Sequence, residues 1–362
     1  MSNLVIFQML RNLTKYLVFV FLCLLFGCQT EQTHPIISKP NVCQYSQYLK
    51  IWPSAHGFRV SIQHPDHPDQ VRSFTIEKIK QRIAVLSSTH VGMLSALQAQ
   101  EKICAIPDLE YLFDGKLKKL VATKRVQDLR VGSAEISAIS ILKSKPDVLV
   151  YSGFGLEDQK FKRLKAAGVL TIANYEWREQ TPLARAEWVL LFGVLTGKFQ
   201  QAKALHEQIV KRYNQLKLMA KTHNKSNQLP VAISGNLYGD QWIAPAGNSY
   251  EATLLKDAGI AYVFSSERGS GSCFKSIATV LKKAPLINIW LNPGLPTKDQ
   301  ILTSNPKAKF YPFFKRPIYC YTAYSTNKCW ELSVIHPDWL LSDYIRIAQH
   351  KQNKLHFYAM LK

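Results

Sequence analysis

The feature that most constrains the fold is an internal repeat of one short unit. Residues 142–150 and 281–289 both run from a helix end, through lysines and a proline, into an apolar strand. Each copy continues to a glycine, Gly153 in the first and Gly294 in the second. A helix leading into a buried strand is typical of α/β folds with parallel sheets. The repeat therefore predicts two similar lobes with a ligand cleft between them, beyond the carboxyl ends of the strands.

The remaining periodicity agrees with this α/β prediction. Apolar runs typical of strands lie at 83–86, 103–106, 148–151 and 169–173, and again at 231–234, 260–264 and 286–291. Helical patterns lie at 156–167, at 181–224 with breaks near Gly193 and Gly197, at 249–258 with Ser249 as the cap, and at 338–350. Glycine and proline bound most of these segments, as they do at element ends. The nearly strand-free segment at 181–224 is expected to connect the lobes.

The N-terminus has the layout of a bacterial lipoprotein signal. Arg11 and Lys15 precede an uninterrupted apolar run at 17–26, which Gly27 and Cys28 follow. The run is shorter than the roughly 20 residues that a membrane span needs, which favours cleavage and lipidation of Cys28 over an uncleaved anchor. We therefore predict a signal peptide at 1–27, a flexible tether at 28–41, and a chain held to a membrane outside the cytoplasm.

Composition limits the partners of the exported chain. The formal net charge is +21, and removing residues 1–27 takes away two basic residues and no acid, leaving +19. A basic surface favours anionic partners, whereas export excludes nucleic acid. The cysteines form no C-x-x-C pair, so no metal site is predicted; Cys320 and Cys329 either form a local disulfide or remain buried thiols.

A small hairpin is predicted at 42–80, where apolar and polar residues alternate around 58–62. His64 and His67 follow within a cluster of proline and aspartate. Both could be metal ligands, but the sequence supplies no third ligand, and Pro/Asp clusters are ordinary turn formers. We interpret the two histidines as part of a turn.

Five segments, taken in order, resemble one family. Residues 87–94, 145–150, 181–188, 242–250 and 336–343 together resemble the solute-binding lipoproteins of ABC importers for iron chelates and cobalamin. The resemblance covers residues 42–350. It implies two α/β lobes joined by a long helix: a first lobe at 81–180, a helical connection at 181–226 and a second lobe at 227–362. It also implies a monomer without enzymatic activity or resident cofactor, which presents a ligand containing iron or cobalt to a permease.

The resemblance places the ligand contacts in the loops that follow the strands. Aromatic rings there would offer flat apolar surface, and hydroxyls and arginine would bond amides or carboxylates. His90 either contacts a ligand or metal, or caps and packs its helix, while Trp177 and Trp242 either line the cleft or belong to the core. The expected contacts are Ser88, Thr89, His90, Tyr111, Tyr151, Phe154, Tyr175, Glu176, Trp177, Tyr238, Trp242, Tyr250 and Arg268.

The sequence departs from the family where the permease should dock. Members usually carry a glutamate on each lobe that pairs with permease arginines, but Ile139 and Ala278 occupy the corresponding positions. Glu135 could substitute in the first lobe, and no acid lies nearby in the second. Docking to a standard permease is therefore in question, and a surface scavenger without a cognate permease becomes an alternative.

A third alternative is an exported enzyme that uses a cleft acid. Glu176 and Glu187 are the candidate acids. The sequence contains no G-x-S-x-G, H-E-x-x-H or G-x-x-x-x-G-K-[ST] motif to support this reading. Arg185 and Glu187 stand two residues apart and cannot share a helical face, so one of them is expected to anchor the lobes together.

Overall fold

The computed structural model describes residues 40–110, 112–130, 136–154, 159–223, 229–323, 328–351 and 355–362. All of them lie in one compact unit, residues 40–362. The predicted signal peptide at 1–27, Cys28, Tyr111 and Glu135 thus lie outside the described residues.

An antiparallel sheet of three strands opens the described chain. It consists of β1 (Leu49–Ser54), β2 (Gly57–Gln63) and β3 (Val71–Ile76), in that order. This is one strand more than the predicted hairpin. The Nδ1 atom of His64 accepts the backbone N–H groups of Asp66 and His67, at 3.1 and 3.2 Å, in the turn between β2 and β3. The two histidines therefore serve the turn, as interpreted from the sequence.

The first lobe is built on a sheet of five parallel strands in the order β6-β5-β4-β7-β8. The strands are β4 (Ile83–Val85), β5 (Ile103–Ile106), β6 (Gln127–Asp128), β7 (Val148–Ser152) and β8 (Leu170–Asn174). The helices are α1 (Ser88–Ala96), α2 (Gly115–Ala122), α3 (Ala138–Lys143) and α4 (Gln159–Ala166), with 3₁₀ turns at Gln100–Lys102 and Glu176–Arg178. Each predicted strand of this half is present to within a residue or two.

Three helices connect the lobes: α5 (Pro182–Glu187), α6 (Val189–Thr196) and the 25-residue α7 (Phe199–His223). The predicted break at Gly197 is confirmed, because this residue ends α6 with a φ of +76°. The break at Gly193 is wrong, since Gly193 lies inside α6. A β-carbon there would come within 2.6 Å of the Ala202 methyl group, so this glycine permits close packing of α6 on α7.

The second lobe holds two sheets. The larger sheet has five strands in the order β12-β9-β14-β15-β16. Four of them are parallel: β9 (Val231–Ser234), β12 (Ala261–Tyr262), β14 (Ile289–Leu291) and β15 (Ile318–Cys320). The fifth, β16 (Ala359–Met360), is antiparallel to β15. The smaller sheet joins β10 (Asn236–Tyr238), β11 (Gln241–Pro245) and β13 (Ser272–Ser276). The helices are α8 (Tyr250–Asp257), α9 (Ile277–Lys283), α10 (Lys298–Ser304), α11 (Cys329–Leu332) and α12 (Pro337–Ala348), with 3₁₀ turns at Ala284–Leu286, Pro306–Phe310, Pro312–Lys315 and Tyr321–Ala323.

The N-terminal sheet belongs to the core of the first lobe. Leu49, Ile51 and Val60 are buried in one cluster with Phe192 of α6 and Ile335 near the C-terminus. Full burial of a large apolar side chain contributes roughly 1.5–3 kcal/mol to the stability of the folded state. The extension is therefore integrated into the lobe, and Ile335 of the C-terminal part belongs to the same core.

Two buried carboxylates fix the segment that leads into β1. Glu187 accepts the backbone N–H groups of Gln44, Tyr45 and Ser46, at 2.7, 2.9 and 2.7 Å. Glu179 accepts those of Gln47 and Tyr48, and also the Trp188 indole N–H at 2.9 Å. Burial raises the pKa of Glu179 above its ordinary value. Glu187 therefore anchors the N-terminal segment to the connection between the lobes.

In the part of the chain that the structure describes, no helix combines the length and the apolar character that crossing a bilayer requires.

Candidate functional site

A cavity of about 420 Å³ opens at the carboxyl edge of the first sheet, and we call it the cleft cavity. The ends of β4 and β5 and the start of α1 contribute one side of its lining, and Trp330 of α11 contributes from the segment between β15 and β16. Its lining residues are Leu86, Ser87, Ser88, Val91, Ile106, Pro107, Asp108, Leu112, Arg130 and Trp330. It lies where α/β folds bind ligands.

The cleft cavity combines apolar walls with a polar rim. Leu86, Val91 and Ile106 offer aliphatic surface, and the Trp330 ring is 45% exposed. At the rim, Arg130 Nε lies 3.8 Å from Asp108 Oδ2, and the arginine side chain remains 53% exposed. Such a site holds a largely apolar solute and orients it through a few polar groups.

The start of α1 adds a partial positive charge to this cavity. Ser87 caps the helix by accepting the Thr89 N–H, at 3.3 Å, and Ser88 is the first helical residue at the cavity wall. The aligned peptide dipoles of a helix favour negative charge at its N-terminus. This end of the cavity therefore suits an electronegative part of a ligand.

Glu331 places Trp330 over the cavity. The Oε2 atom of Glu331 accepts the backbone N–H groups of Phe113 and Asp114, at 2.7 and 3.3 Å, while its Oε1 atom is buried without a partner among the described residues. Burial is the main cause that raises the pKa of Glu331 to about 7. Glu331, the residue next to Trp330 on α11, is thereby fixed to the first lobe, and this contact orients the tryptophan.

His90 is a packed residue of α1. Its side chain is fully buried, its ring lies 5.7 Å from that of Phe192, and neither ring nitrogen has a hydrogen-bond partner among the described residues. Burial lowers its pKa to about 4, so the imidazole is neutral at pH 7. Thr89 is also buried. Of the two roles predicted for His90, the structure favours packing over ligand contact.

A second cavity, of about 590 Å³, lies between the N-terminal sheet, β8 and α4; we call it the edge cavity. Three of the predicted contacts line it, namely Tyr151, Phe154 and Tyr175. Trp177 stacks on Phe154, with ring centroids 4.7 Å apart. Leu86 and Arg130 line both cavities, so the two adjoin along the carboxyl edge of the first sheet.

Glu176, Arg185 and Tyr250 join the lobes and line neither of these two cavities. The Nε atom of Arg185 donates to Glu176 in a buried ion pair. On its other side the guanidinium lies over the Tyr250 ring, 4.4 Å from the centroid. The nearby Glu176 charge raises the Arg185 pKa against the opposing effect of burial. Arg185 is therefore an anchor between the lobes.

The other predicted contacts of the second lobe do not line either cavity. Trp242 is fully buried, donates its indole N–H to Ser234 O at 3.1 Å and packs against Trp290 at 5.5 Å. This placement corrects the prediction that Trp242 lines the cleft, because the ring belongs to the core of the second lobe. Tyr238 is 76% exposed at the turn between β10 and β11, and Arg268 is exposed on a loop.

Of the ten lining residues of the cleft cavity, only Ser88 was among the predicted contacts; the nine that were missed include Leu86, Asp108, Arg130 and Trp330. Asp108 follows the predicted strand β5 closely, so a strict reading of strand ends would have found it, whereas Arg130 follows β6, a two-residue strand that the apolar pattern did not predict. Trp330 follows no strand directly, and only the path of the chain after β15 brings it to the first lobe.

The described residues hold no cluster of three or more His, Cys, Asp or Glu side chains that could bind a metal. Cys43, Cys104, Cys273, Cys320 and Cys329 are free thiols. Of the two states predicted for Cys320 and Cys329, the structure has the unpaired one. Burial raises the pKa of the Cys329 thiol to about 12, which leaves it protonated and unreactive at pH 7.

Residues 83–315 match the periplasmic binding protein family. The chain belongs to this family. The resemblance drawn from the sequence is thereby confirmed, and the α/β fold with two lobes and parallel sheets is as predicted. A periplasmic binding protein has a solute-binding role, which agrees with a cavity at the carboxyl edge of a parallel sheet.

Individual relatives agree with this membership. An uncharacterized lipoprotein of Methanocaldococcus jannaschii is 24% identical over 336 residues, which cover 85% of this chain and 77% of the relative. A periplasmic haem-binding protein from Pseudomonas aeruginosa has a TM-score of 0.59 at 15% identity, covering 78% of this chain and 99% of the other. An ABC-type Fe³⁺-hydroxamate transport protein from Saccharomonospora viridis has a TM-score of 0.56 at 15% identity, covering 77% of this chain and 96% of the other. At these identities the solved structures establish the fold.

Proposed function

We propose that this periplasmic binding protein is a lipid-anchored, extracytoplasmic receptor that captures an iron chelate, haem or cobalamin for an ABC importer. The observation that carries the proposal is the cleft cavity, in which Trp330 faces the carboxyl edge of the first sheet. The solved structures of similar fold include a haem-binding and a hydroxamate transport protein, which supports this ligand class.

The cavity chemistry fits such ligands. A macrocycle or chelate presents a broad apolar face with polar groups at its edge, and the cleft cavity has an indole ring, aliphatic walls and a polar rim. Ser88, Asp108 and Arg130 are positioned to bond the edge of the ligand. We propose that they, with Trp330, make the principal contacts.

The lipid anchor is proposed from the sequence around Cys28, which has a lipoprotein layout, and from a relative that is described as a lipoprotein. The anchor would keep the protein near the permease and would explain the polar tether at 28–41.

A surface scavenger without a cognate permease remains the second candidate. Ile139 is 66% exposed on α3, and Ala278 is exposed on α9. These positions lack the carboxylates that family members use for docking, so any contact with a permease must rely on other groups.

The contacts of Glu176 and Glu187 argue against the proposed cleft enzyme. Glu176 is paired with the buried Arg185, and Glu187 accepts three backbone N–H groups. A general acid or base needs to reach a substrate proton, and neither carboxylate lines the cleft cavity or the edge cavity.

The test is titration of the purified full chain, in a mild detergent, with haem, cobalamin and a set of ferric siderophores. Tryptophan fluorescence and the absorbance of the metal complex report binding, with blank titrations into micelles. Saturable binding of one ligand, weakened by Trp330→Ala, would support the proposal. Failure of a folded sample to bind any of them would overturn it. Crosslinking in native membranes, with capture of an ABC permease, separates the importer from the scavenger.

A further inference from the structure

The second lobe carries an exposed surface that contributes to neither cavity. It is formed by α9 with the 3₁₀ turn at Ala284–Leu286, and by the 3₁₀ turns at Pro306–Phe310 and Pro312–Lys315. The third turn packs against both of the others, so the three turns make one continuous surface. We call it the basic face, and its exposed members are Leu281, Lys282, Leu286, Lys307, Lys309, Phe310, Lys315 and Arg316.

The basic face presents large apolar side chains to solvent. Phe310 is 75% exposed and Leu286 is 63% exposed. The turns that carry them are fixed from beneath, because Ala284, Ala308 and Phe313 are buried in the core of the second lobe. A single exposed apolar side chain is ordinary, so the charge around these two decides what they can meet.

The charge of the basic face is entirely positive. Residues 277–286 and 305–316 contain six lysine and arginine residues and no aspartate or glutamate. None of the six forms an ion pair with a carboxylate among the described residues, whereas Lys275 on the neighbouring strand β13 pairs with Glu267 at 2.6 Å. Lys309 Nζ lies 5.0 Å from the centroid of the Phe310 ring, so cation and exposed ring stand side by side. This charge favours an anionic partner.

The position of the basic face separates it from the solute site. The turn that ends at Leu286 leads into β14, and the turn that ends at Lys315 leads into β15. Parallel strands begin at one edge of a sheet, so the basic face lies at the amino edge of the larger sheet. Ligands of α/β folds bind beyond the opposite edge. A partner on the basic face therefore leaves the carboxyl edge of this sheet accessible.

We propose that the basic face docks on the surface of a bilayer that contains anionic phospholipid. Its cations attract the phosphate headgroups, while Phe310 and Leu286 enter the boundary between headgroups and acyl chains. Exposed cations spread over three turns, outside both cavities, fit a broad anionic surface better than one small anion.

The proposed lipid anchor would bring the basic face to such a bilayer, and this argument rests on the proposed function. Twelve residues, 28–39, connect the start of the predicted mature chain to the first described residue. A chain of that length spans at most about 40 Å, against a radius of gyration of about 20 Å for a compact domain of this size. The reach is sufficient for the domain to lie on the membrane, so the basic face would add a second membrane contact to the lipid.

The experiment compares the full chain in nanodiscs of phosphatidylcholine alone and in nanodiscs with about one third phosphatidylglycerol. Hydrogen–deuterium exchange of the backbone is measured at 277–286 and 305–316. We expect exchange of these segments to be at least about threefold slower on the anionic discs, with the difference lost at high salt. Retention on the neutral discs reports the anchor separately. If the chain leaves the neutral discs, its retention on the anionic discs alone supports the basic face.

Two charge variants test whether the basic face causes the protection. Lys307→Gln/Lys309→Gln should abolish the difference between the discs, and Lys282→Gln/Lys315→Gln provides a second pair on the same face. The matched control, Lys162→Gln/Arg163→Gln, removes the same charge from exposed positions of α4 and should behave like the parent. Equal exchange on both discs, or equal effects of the control and the basic-face variants, would overturn the proposal.

Two further samples identify other occupants of the basic face. Protection by soluble poly-glutamate but not by anionic discs would assign the face to an acidic protein. Protection that grows with protein concentration in detergent alone would assign it to a second copy of the chain. Either result overturns docking on a bilayer.

Discussion

Gly92 of α1 lies directly beneath the backbone of Glu331 on α11. A β-carbon at position 92 would stand 1.7 Å from the Glu331 carbonyl oxygen and 2.8 Å from its carbonyl carbon. The helix and the C-terminal segment therefore approach as closely as their backbones allow. This contact, together with the carboxylate of Glu331 on the 113–114 backbone, holds Trp330 at the cleft cavity.

We predict that Gly92→Ala destabilises the protein. Alanine within a helix ordinarily gains about 0.5–1 kcal/mol over glycine, but the new methyl group would displace backbone, and overpacking costs roughly 1–3 kcal/mol or more. We expect Gly92→Ala to have a lower melting temperature than the parent and to bind the ligand of the cleft cavity more weakly. Gly115→Ala is the control, because nothing lies within 4 Å of a β-carbon there, and it should be neutral or slightly stabilising.

Glu331 makes stability depend on pH. Because the pKa of its carboxyl is about 7 when folded, against 4.5 as the ordinary value, the folded state binds this proton more tightly than the unfolded chain does. The free energy of unfolding should therefore fall as the pH rises from 4.5 to 7, by at most about 3 kcal/mol.

Glu331→Gln mimics the protonated side chain and should flatten this dependence in urea titrations at several pH values. Glu77→Gln removes an exposed carboxylate and serves as the control. A pH profile that Glu331→Gln leaves unchanged would show that other groups cause the dependence.

Arg185 should be far more important for stability than an exposed arginine. Arg185→Met leaves Glu176 buried without its cation, which typically costs about 3–5 kcal/mol. The double variant Arg185→Met/Glu176→Gln should recover part of the loss. Arg178→Met breaks a pair with the half-exposed Asp66 and should cost about 1 kcal/mol or less. Urea unfolding gives the free energy of unfolding of all three variants. Equal losses of this free energy in Arg185→Met and Arg178→Met would contradict the role of Arg185 as an anchor between the lobes.

The fold was largely predictable because its signals are local. Buried parallel strands appear as short apolar runs, and Ser249 and Gly197 mark a helix start and a helix end as expected. Gly193 misled the prediction because a glycine can serve close packing as well as a break, and only the neighbouring helix distinguishes the two.

The site was less predictable because burial depends on tertiary packing. Trp242 and Tyr151 both belong to or follow strands and both are aromatic, yet one fills the core of its lobe and the other lines a cavity. Trp330 reaches the first lobe through a chain path that has no local signal. Spacing along the sequence cannot determine such placements.

The two tryptophans give a prediction that separates core from site. Trp242→Ala removes a fully buried ring and should lower the free energy of unfolding by about 3–5 kcal/mol. Trp330→Ala removes a ring that is 45% exposed, so it should change stability little but weaken the cleft ligand by about tenfold or more. Melting temperatures and dissociation constants of both variants decide the matter. A Trp242→Ala protein that melts normally and loses its ligand would return Trp242 to the cleft, because a core role predicts the opposite pattern.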